Sequence, residues 1–161
     1  MATKTIIGRA ELVDFPDMGI AGVPAKVDTG ADNSAIWASQ IVVSDDILSC
    51  VFFAPDSPNY TGERVQIDTF SVTRISNSFG QSEMRYKVKL PIRVKGRRIR
   101  ATFTLSDRSR KVYPVLLGRR LLAGKFLVDV LEGEPLTEFE QARARKLKKD
   151  IETFIHDGGT L

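Results

Sequence analysis

The stretch Ala25-Lys26-Val27-Asp28-Thr29-Gly30-Ala31-Asp32-Asn33-Ser34-Ala35-Ile36-Trp37 passes from apolar residues to an acid and turns at once on Thr-Gly. Val27 reads as the end of a buried strand, and Gly30 as the residue that gives a tight turn its backbone freedom. A carboxylate at such a strand end must be hydrated, paired or used, because burying it alone is costly. By itself Asp28 fits a turn acid capping its own backbone better than it fits a reactive group. The rest of the chain decides between them.

Upstream, residues 5–15 read as a strand bent at Gly8. Pro16-Asp17-Met18-Gly19 is a turn signal, and residues 20–28 return as a second strand. Downstream, residues 41–43 and 47–53 are short β-prone runs, and residues 55–62 are loop by composition. From Arg64 the β character is sustained as far as Ser76-Asn77-Ser78-Phe79-Gly80-Gln81, where turn formers surround one aromatic. Residues 85–90 alternate cleanly, and Pro91 suits an edge better than a central ladder. Residues 92–103 read as a hairpin turning at Gly96. Residues 114–122 form an apolar strand broken by Gly118, followed by a short helical turn. Strand after strand with short turns predicts an all-β chain, a small barrel or sandwich.

One helix is expected at the C-terminus. Thr137-Glu138-Phe139-Glu140 fits a capping box, with Thr137 as N-cap and Glu140 three residues on. Phe139, Ala142, Leu147, Ile151 and Phe154 make a narrow apolar stripe, with the Arg143 stem along it. The expected division is a β-domain over 1–136 and a helix with its tail over 137–161.

The chain has 161 residues, 42% of them hydrophobic and 27% charged, which suits one soluble domain with its own core. A single cysteine, Cys50, excludes an internal disulfide framework and suits a reducing compartment. No apolar run resembles a signal peptide or spans a bilayer, so a cytoplasmic protein without membrane contact is expected. The net charge of +4 comes largely from basic runs at 95–100, 108–111, 119–120 and 143–149. Such runs attract acidic partners. Aromatics are not interleaved with them, which argues against a nucleic-acid platform.

At this point the chain resembles the retropepsin-like aspartic proteases. Asp28-Thr29-Gly30-Ala31, the turn at residues 76–81 and Leu116-Leu117-Gly118-Arg119 occur in the order of that superfamily's active-site turn, flap hairpin and apolar-apolar-Gly-Arg segment. The long separation of Asp28 from Gly118 implies an insertion within residues 37–69. The chain is also similar to a bacterial family labelled ATP-dependent zinc proteases, often found beside ATP-grasp glutamate ligases. That likeness rests on Ile7-Gly8-Arg9, Lys26 to Ala31, Ser34-Ala35, Arg85-Tyr86, Leu105-Ser106-Asp107-Arg108, Leu116 to Arg119 and Phe126-Leu127-Val128-Asp129. The family usually has a basic residue at Asp32 and a His near Trp37, and this chain departs from it at both.

The resemblance implies a retropepsin-like β-barrel and a homodimeric aspartic endopeptidase. Asp28, Thr29 and Gly30 would be catalytic. Ala31, Asp32, Ser76, Asn77, Ser78, Phe79, Gly80 and Arg119 would bind substrate, with Asp32 and Arg119 forming an ion pair. Trp37 reads as core. The implied partners are a second copy, a peptide (acidic or glutamate-rich, given the ligase association and the basic runs) and an ATP-grasp ligase system. The alternative is a binding module that keeps the fold without turnover. No metal and no other cofactor is expected: the chain has one histidine, His156, and lacks H-E-x-x-H and a phosphate-binding Gly-Lys-Ser/Thr loop.

Overall fold

Strands form where apolar and polar residues alternate most cleanly. The computed structural model describes residues 3–133 and 136–159. Met1, Ala2, Glu134, Pro135, Thr160 and Leu161, at the ends of the two expected segments, lie outside the described residues. The strands are β1 (Thr5–Ile7), β2 (Ala10–Phe15), β3 (Ile20–Val27), β4 (Ser34–Ser44), β5 (Ile47–Phe52) and β6 (Arg64–Ile67). They continue with β7 (Phe70–Ser76), β8 (Ser82–Val94), β9 (Arg97–Ser106), β10 (Val115–Leu117) and β11 (Phe126–Val128). Among the described residues two α-helices, α1 (Arg119–Leu122) and α2 (Thr137–His156), and a 3-10 turn at Pro16–Met18 complete the fold.

The pairing closes on itself. β3 lies against β2, β2 against β8, β8 against β9, and β9 runs parallel to β4. β10 then fills the remaining slot, parallel to β3 and antiparallel to β4. Inside the ring sit Phe15, Val23, Ile36, Ile92, Phe103 and Leu117, each without solvent exposure. The rings of Phe15 and Phe103 meet edge-on at 5.8 Å. Trp37 is buried in the same core, as expected. The fold is therefore mostly β, a retropepsin-like ring of strands with a C-terminal helix. β5 and β6 extend outward from β4, in the segment where extra length was expected.

Several local expectations are refined. Residues 5–15 form two strands, because β1 leaves to pair with β11 while β2 pairs with β3. The turn at Gly96 is a two-residue reversal with Lys95 and Gly96 both left-handed (φ 48° and 76°), the backbone such a hairpin needs. Pro91 sits in an interior strand, paired on one side with Arg100 of β9. It is tolerated there because its other side lies between the end of the β7 ladder at Val88 and the start of the β2 ladder at Arg93.

The expected capping box does not form. Leu136 is the N-cap of α2, without a side-chain cap. The Glu140 carboxylate instead accepts hydrogen bonds from Arg9 and Tyr113, outside the helix. A guanidinium and a buried phenol compete better for it than an exposed backbone N–H. Arg143 fastens the next turn, donating to the carbonyl of Lys111 at 3.2 Å and to Asp56 at 3.3 Å above the face of Trp37. Beyond Leu147 the stripe is uncovered, with Ile151, Phe154 and Ile155 exposed. No helix among the described residues is long and apolar enough to cross a membrane.

Candidate active site

Asp28 stands one residue past the end of β3, and its peptide N–H donates to the carbonyl of Leu117 at 2.9 Å. Its Oδ1 accepts from the N–H of Gly30 at 2.9 Å and of Ala31 at 3.2 Å. The turn thus orients its own carboxylate, and among the described residues no group bonds the second oxygen. Asp28 is half-buried, whereas Thr29 and Gly30 are exposed.

The turn is fixed from beneath by the Gly-Arg segment. The N–H groups of Arg119 and Arg120 donate to the carbonyls of Ala31 at 2.7 Å and Asp32 at 3.2 Å. The N–H of Gly118 donates to Oγ of buried Ser34 at 3.0 Å. A Cβ on Gly118 would lie 2.5 Å from the carbonyl oxygen of Asn33, so only glycine lets β10 and the turn come this close. Gly30 has a different role from the one its sequence context suggests. Its φ is not left-handed. Glycine leaves room there, since a Cβ would lie 3.3 Å from Asp28 Oδ1.

Asp32 and Arg119 form the expected ion pair. The hydrogen bond from Arg119, reinforced by its charge, holds the Asp32 carboxyl below the ordinary aspartate range. Both side chains are more than half exposed, so the pair sets orientation more than stability.

A cleft of about 350 Å³ opens between residues 30–33 of this turn and the base of the β7–β8 hairpin. Of the expected hairpin residues only Ser76 lines it. Asn77, Ser78, Phe79 and Gly80 lie out at the tip, which holds itself together. Asn77 Oδ1 accepts from the N–H of Phe79 at 2.9 Å and of Gln81 at 3.0 Å, and Gly80 takes a φ of 79°. Phe79 is 88% exposed.

A family model described as RimB-like, for the retropepsin-like aspartic endopeptidase RimB, matches residues 6–135. The chain belongs to this family. Two similar proteins, from Desulfotalea psychrophila and Shewanella pealeana, are each named probable alpha-L-glutamate ligase. They are 30% identical over 130 residues and 31% identical over 139 residues. The matches cover 78% and 84% of this chain but only 28% and 30% of those proteins. The chain therefore spans about a third of the length of the curated relatives it matches. The crystal structure of Lpg0085, a Legionella pneumophila protein of unknown function, shares the fold. It aligns with a TM-score of 0.62 at 23% identity, over 80% of this chain and 95% of that one.

In this RimB-like chain three arginines lining the cleft escaped the sequence reading: Arg74 on β7, Arg85 on β8 and Arg108 just past β9. Arg85 and Arg108 lie inside two of the motifs that carry the family resemblance, which is the signal that singles them out. Arg74 carries none. Arg108 is half-buried and donates through Nε to the carbonyl of Tyr113 at 2.7 Å. Burial, and then the charge of Arg85, lower its pKa to about 10, against the favourable field of Asp28. It remains a cation at neutral pH. It also borders a second hollow of about 560 Å³ under α2, where Lys26, Arg110 and Lys111 add positive charge.

The basic run at 95–100 faces elsewhere. Arg97 lies over the ring of Phe126 and Arg98 pairs with Asp17 at 3.1 Å. Among the described residues no three His, Cys, Asp or Glu side chains gather to hold a metal ion. The sole histidine is on exposed α2, and burial pushes the Cys50 thiol up to about 11. The residues present do not fit a zinc centre.

Proposed function

We propose that the chain is an aspartic endopeptidase that works as a two-fold homodimer. The observation that carries this reading is the presentation of Asp28. One oxygen is held by the Gly30 and Ala31 N–H groups and the other is left open, on an exposed turn braced by β10. One acid per chain is insufficient, and an isologous partner would bring a second Asp28 face to face with the first. Two carboxylates so close share one proton and titrate in two separated steps. The ionised member takes a proton from a water lying between them, and the protonated member polarises the scissile carbonyl. The water oxygen adds to the carbonyl carbon, the C–N bond breaks, and the amine leaves with the transferred proton. Exposed Thr29 is the residue that would bond across the dyad, and the β7–β8 hairpin would close over an extended peptide.

Acidic or glutamate-rich peptides are the substrate class this reading favours. Relatives named as glutamate ligases and a cleft bordered by arginines both support it. The test is Asp28→Asn, with peptide hydrolysis and sedimentation measured on the same preparation. Turnover should fall by ~1,000-fold or more while the dimer persists. Full turnover in this variant, or hydrolysis by a monomer, overturns the reading.

A second reading is favoured by the ligase-named relatives, in which a segment like this one is part of a longer chain. The protein would then be a binding module acting on a glutamate ligase. An effect on the ligase that survives Asp28→Asn separates this reading from the first.

A further inference from the structure

Several arginines are tied to acids distant in sequence: Arg9 to Glu140, Arg98 to Asp17, and Arg143 to Asp56 and two carbonyls. Those lining the cleft have no such distant acid. Among the described residues no carboxylate lies within ion-pair distance of Arg74 or Arg108, and Arg85 has only Glu83, two residues along its own strand. The one acid lining the cleft, Asp32, is already taken by Arg119. A half-buried guanidinium with one carbonyl partner keeps most of its donors free to bond a carboxylate in the cleft. Arg85 and Arg108 line the same cleft as Gly30 and Ala31, whose N–H groups hold the Asp28 carboxylate, so these guanidinium groups share the cleft with the turn that carries the acid.

Resting on the endopeptidase reading, we infer that Arg85 and Arg108, with Arg74 at the rim, form a subsite for the side-chain carboxylate of an acidic residue next to the scissile bond. Planar guanidinium donors match a carboxylate in geometry as well as charge. A glutamine at the same position offers no charge and leaves those donors poorly satisfied, so the site discriminates by side-chain charge. The basic hollow beyond Arg108 continues the same field along the path of an anionic peptide.

The experiment compares three fluorogenic peptides: an oligoglutamate, its glutamine analogue, and the oligoglutamate amidated at its C-terminus. A parallel arm measures binding of dye-labelled oligoglutamate to the Asp28→Asn protein, which needs no turnover. Arg108→Gln and Arg85→Gln should each lower the glutamate-to-glutamine ratio of kcat/KM by ~10- to 100-fold. They should weaken oligoglutamate binding by a similar factor. Arg98→Gln, outside the cleft, should leave the ratio unchanged. If Arg108→Gln loses its fold with the Tyr113 contact, Arg85→Gln gives the same readout.

Equal losses on both peptides would reduce the arginines to a structural role and overturn the subsite. Discrimination that follows C-terminal amidation would overturn it too, in favour of a terminal carboxylate. If neither peptide is hydrolysed by the wild type yet binding depends on Arg85 and Arg108, the endopeptidase reading falls and the subsite stands. If both peptides are cleaved equally and the arginines are indifferent, the subsite falls and the endopeptidase stands.

Discussion

One polar turn borders the cleft and another caps the hairpin whose base does, and they are built in opposite ways. The turn at residues 28–33 is held by distant chain: carbonyls of Ala31 and Asp32 accept from the start of α1, and Asp28 donates to β10. The hairpin tip at residues 77–81 is held by itself, through the Asn77 side chain and the Asn77–Gln81 backbone pair. A turn braced from several directions positions an acid within a fraction of an ångström, which proton sharing requires. A turn that carries its own bonds can move as a unit on its hairpin without leaving backbone groups unpaired. Under the proposed endopeptidase reading, bracing serves the acid and autonomy serves closure of the hairpin.

Substitutions can break or sharpen this contrast. Gly118→Ala should do the most damage, destabilising the fold by ~3 kcal/mol, because its methyl meets a backbone carbonyl that has no side chain to swing aside. Urea titration gives the number, and a loss under ~0.5 kcal/mol would mean that the bracing yields easily. Ser34→Ala should come next, at ~1–2 kcal/mol, since it strands the Gly118 N–H in the interior. Asn77→Ala should cost under ~0.5 kcal/mol while lowering kcat/KM several-fold, as the tip loses its internal bonds but the core does not. A large loss of stability from that change would show that the tip is no independent unit.

The helix attachment offers a test of intermediate size, with a pH signature. Burial raises the Glu140 carboxyl, but the bonds from Tyr113 and Arg9 outweigh it and hold the group below the ordinary glutamate range. A depressed carboxylate stabilises fully above its unfolded pKa of about 4.3 and loses that stabilisation as pH falls through the folded value. Glu140→Gln should therefore cost ~1 kcal/mol at neutral pH and flatten the acid limb of the stability curve below about pH 4. An acid limb as steep as that of the wild type would show that other carboxylates carry it.

The sequence was legible where local chemistry decides. Alternation located the strands, Gly96 and Gly80 marked their hairpins, and the ordered Asp-Thr-Gly-Ala and Leu-Gly-Arg motifs carried the fold. It was opaque where distant segments compete for one group. Thr137 has the composition of a cap, yet the Glu140 that would complete it is drawn to Arg9 and Tyr113, far off in sequence. Pro91 reads as an edge residue because sequence cannot show that two neighbouring ladders leave a gap beside an interior strand. Arg74 looks like ordinary surface charge, and the motifs holding Arg85 and Arg108 do not show that all three meet until their strand ends converge on the same cleft.

β10 is the strand on which all of this turns, and it comes late. A ribosome that has released the chain through Ser106 has already delivered β2, β3, β4, β8 and β9 together with the acid and the hairpin. The slot between β3 and β4 is still empty at that stage, and Asp28 has no Leu117 carbonyl beneath it. The order of translation thus withholds the support beneath Asp28 until the strands on both sides of the slot have been made.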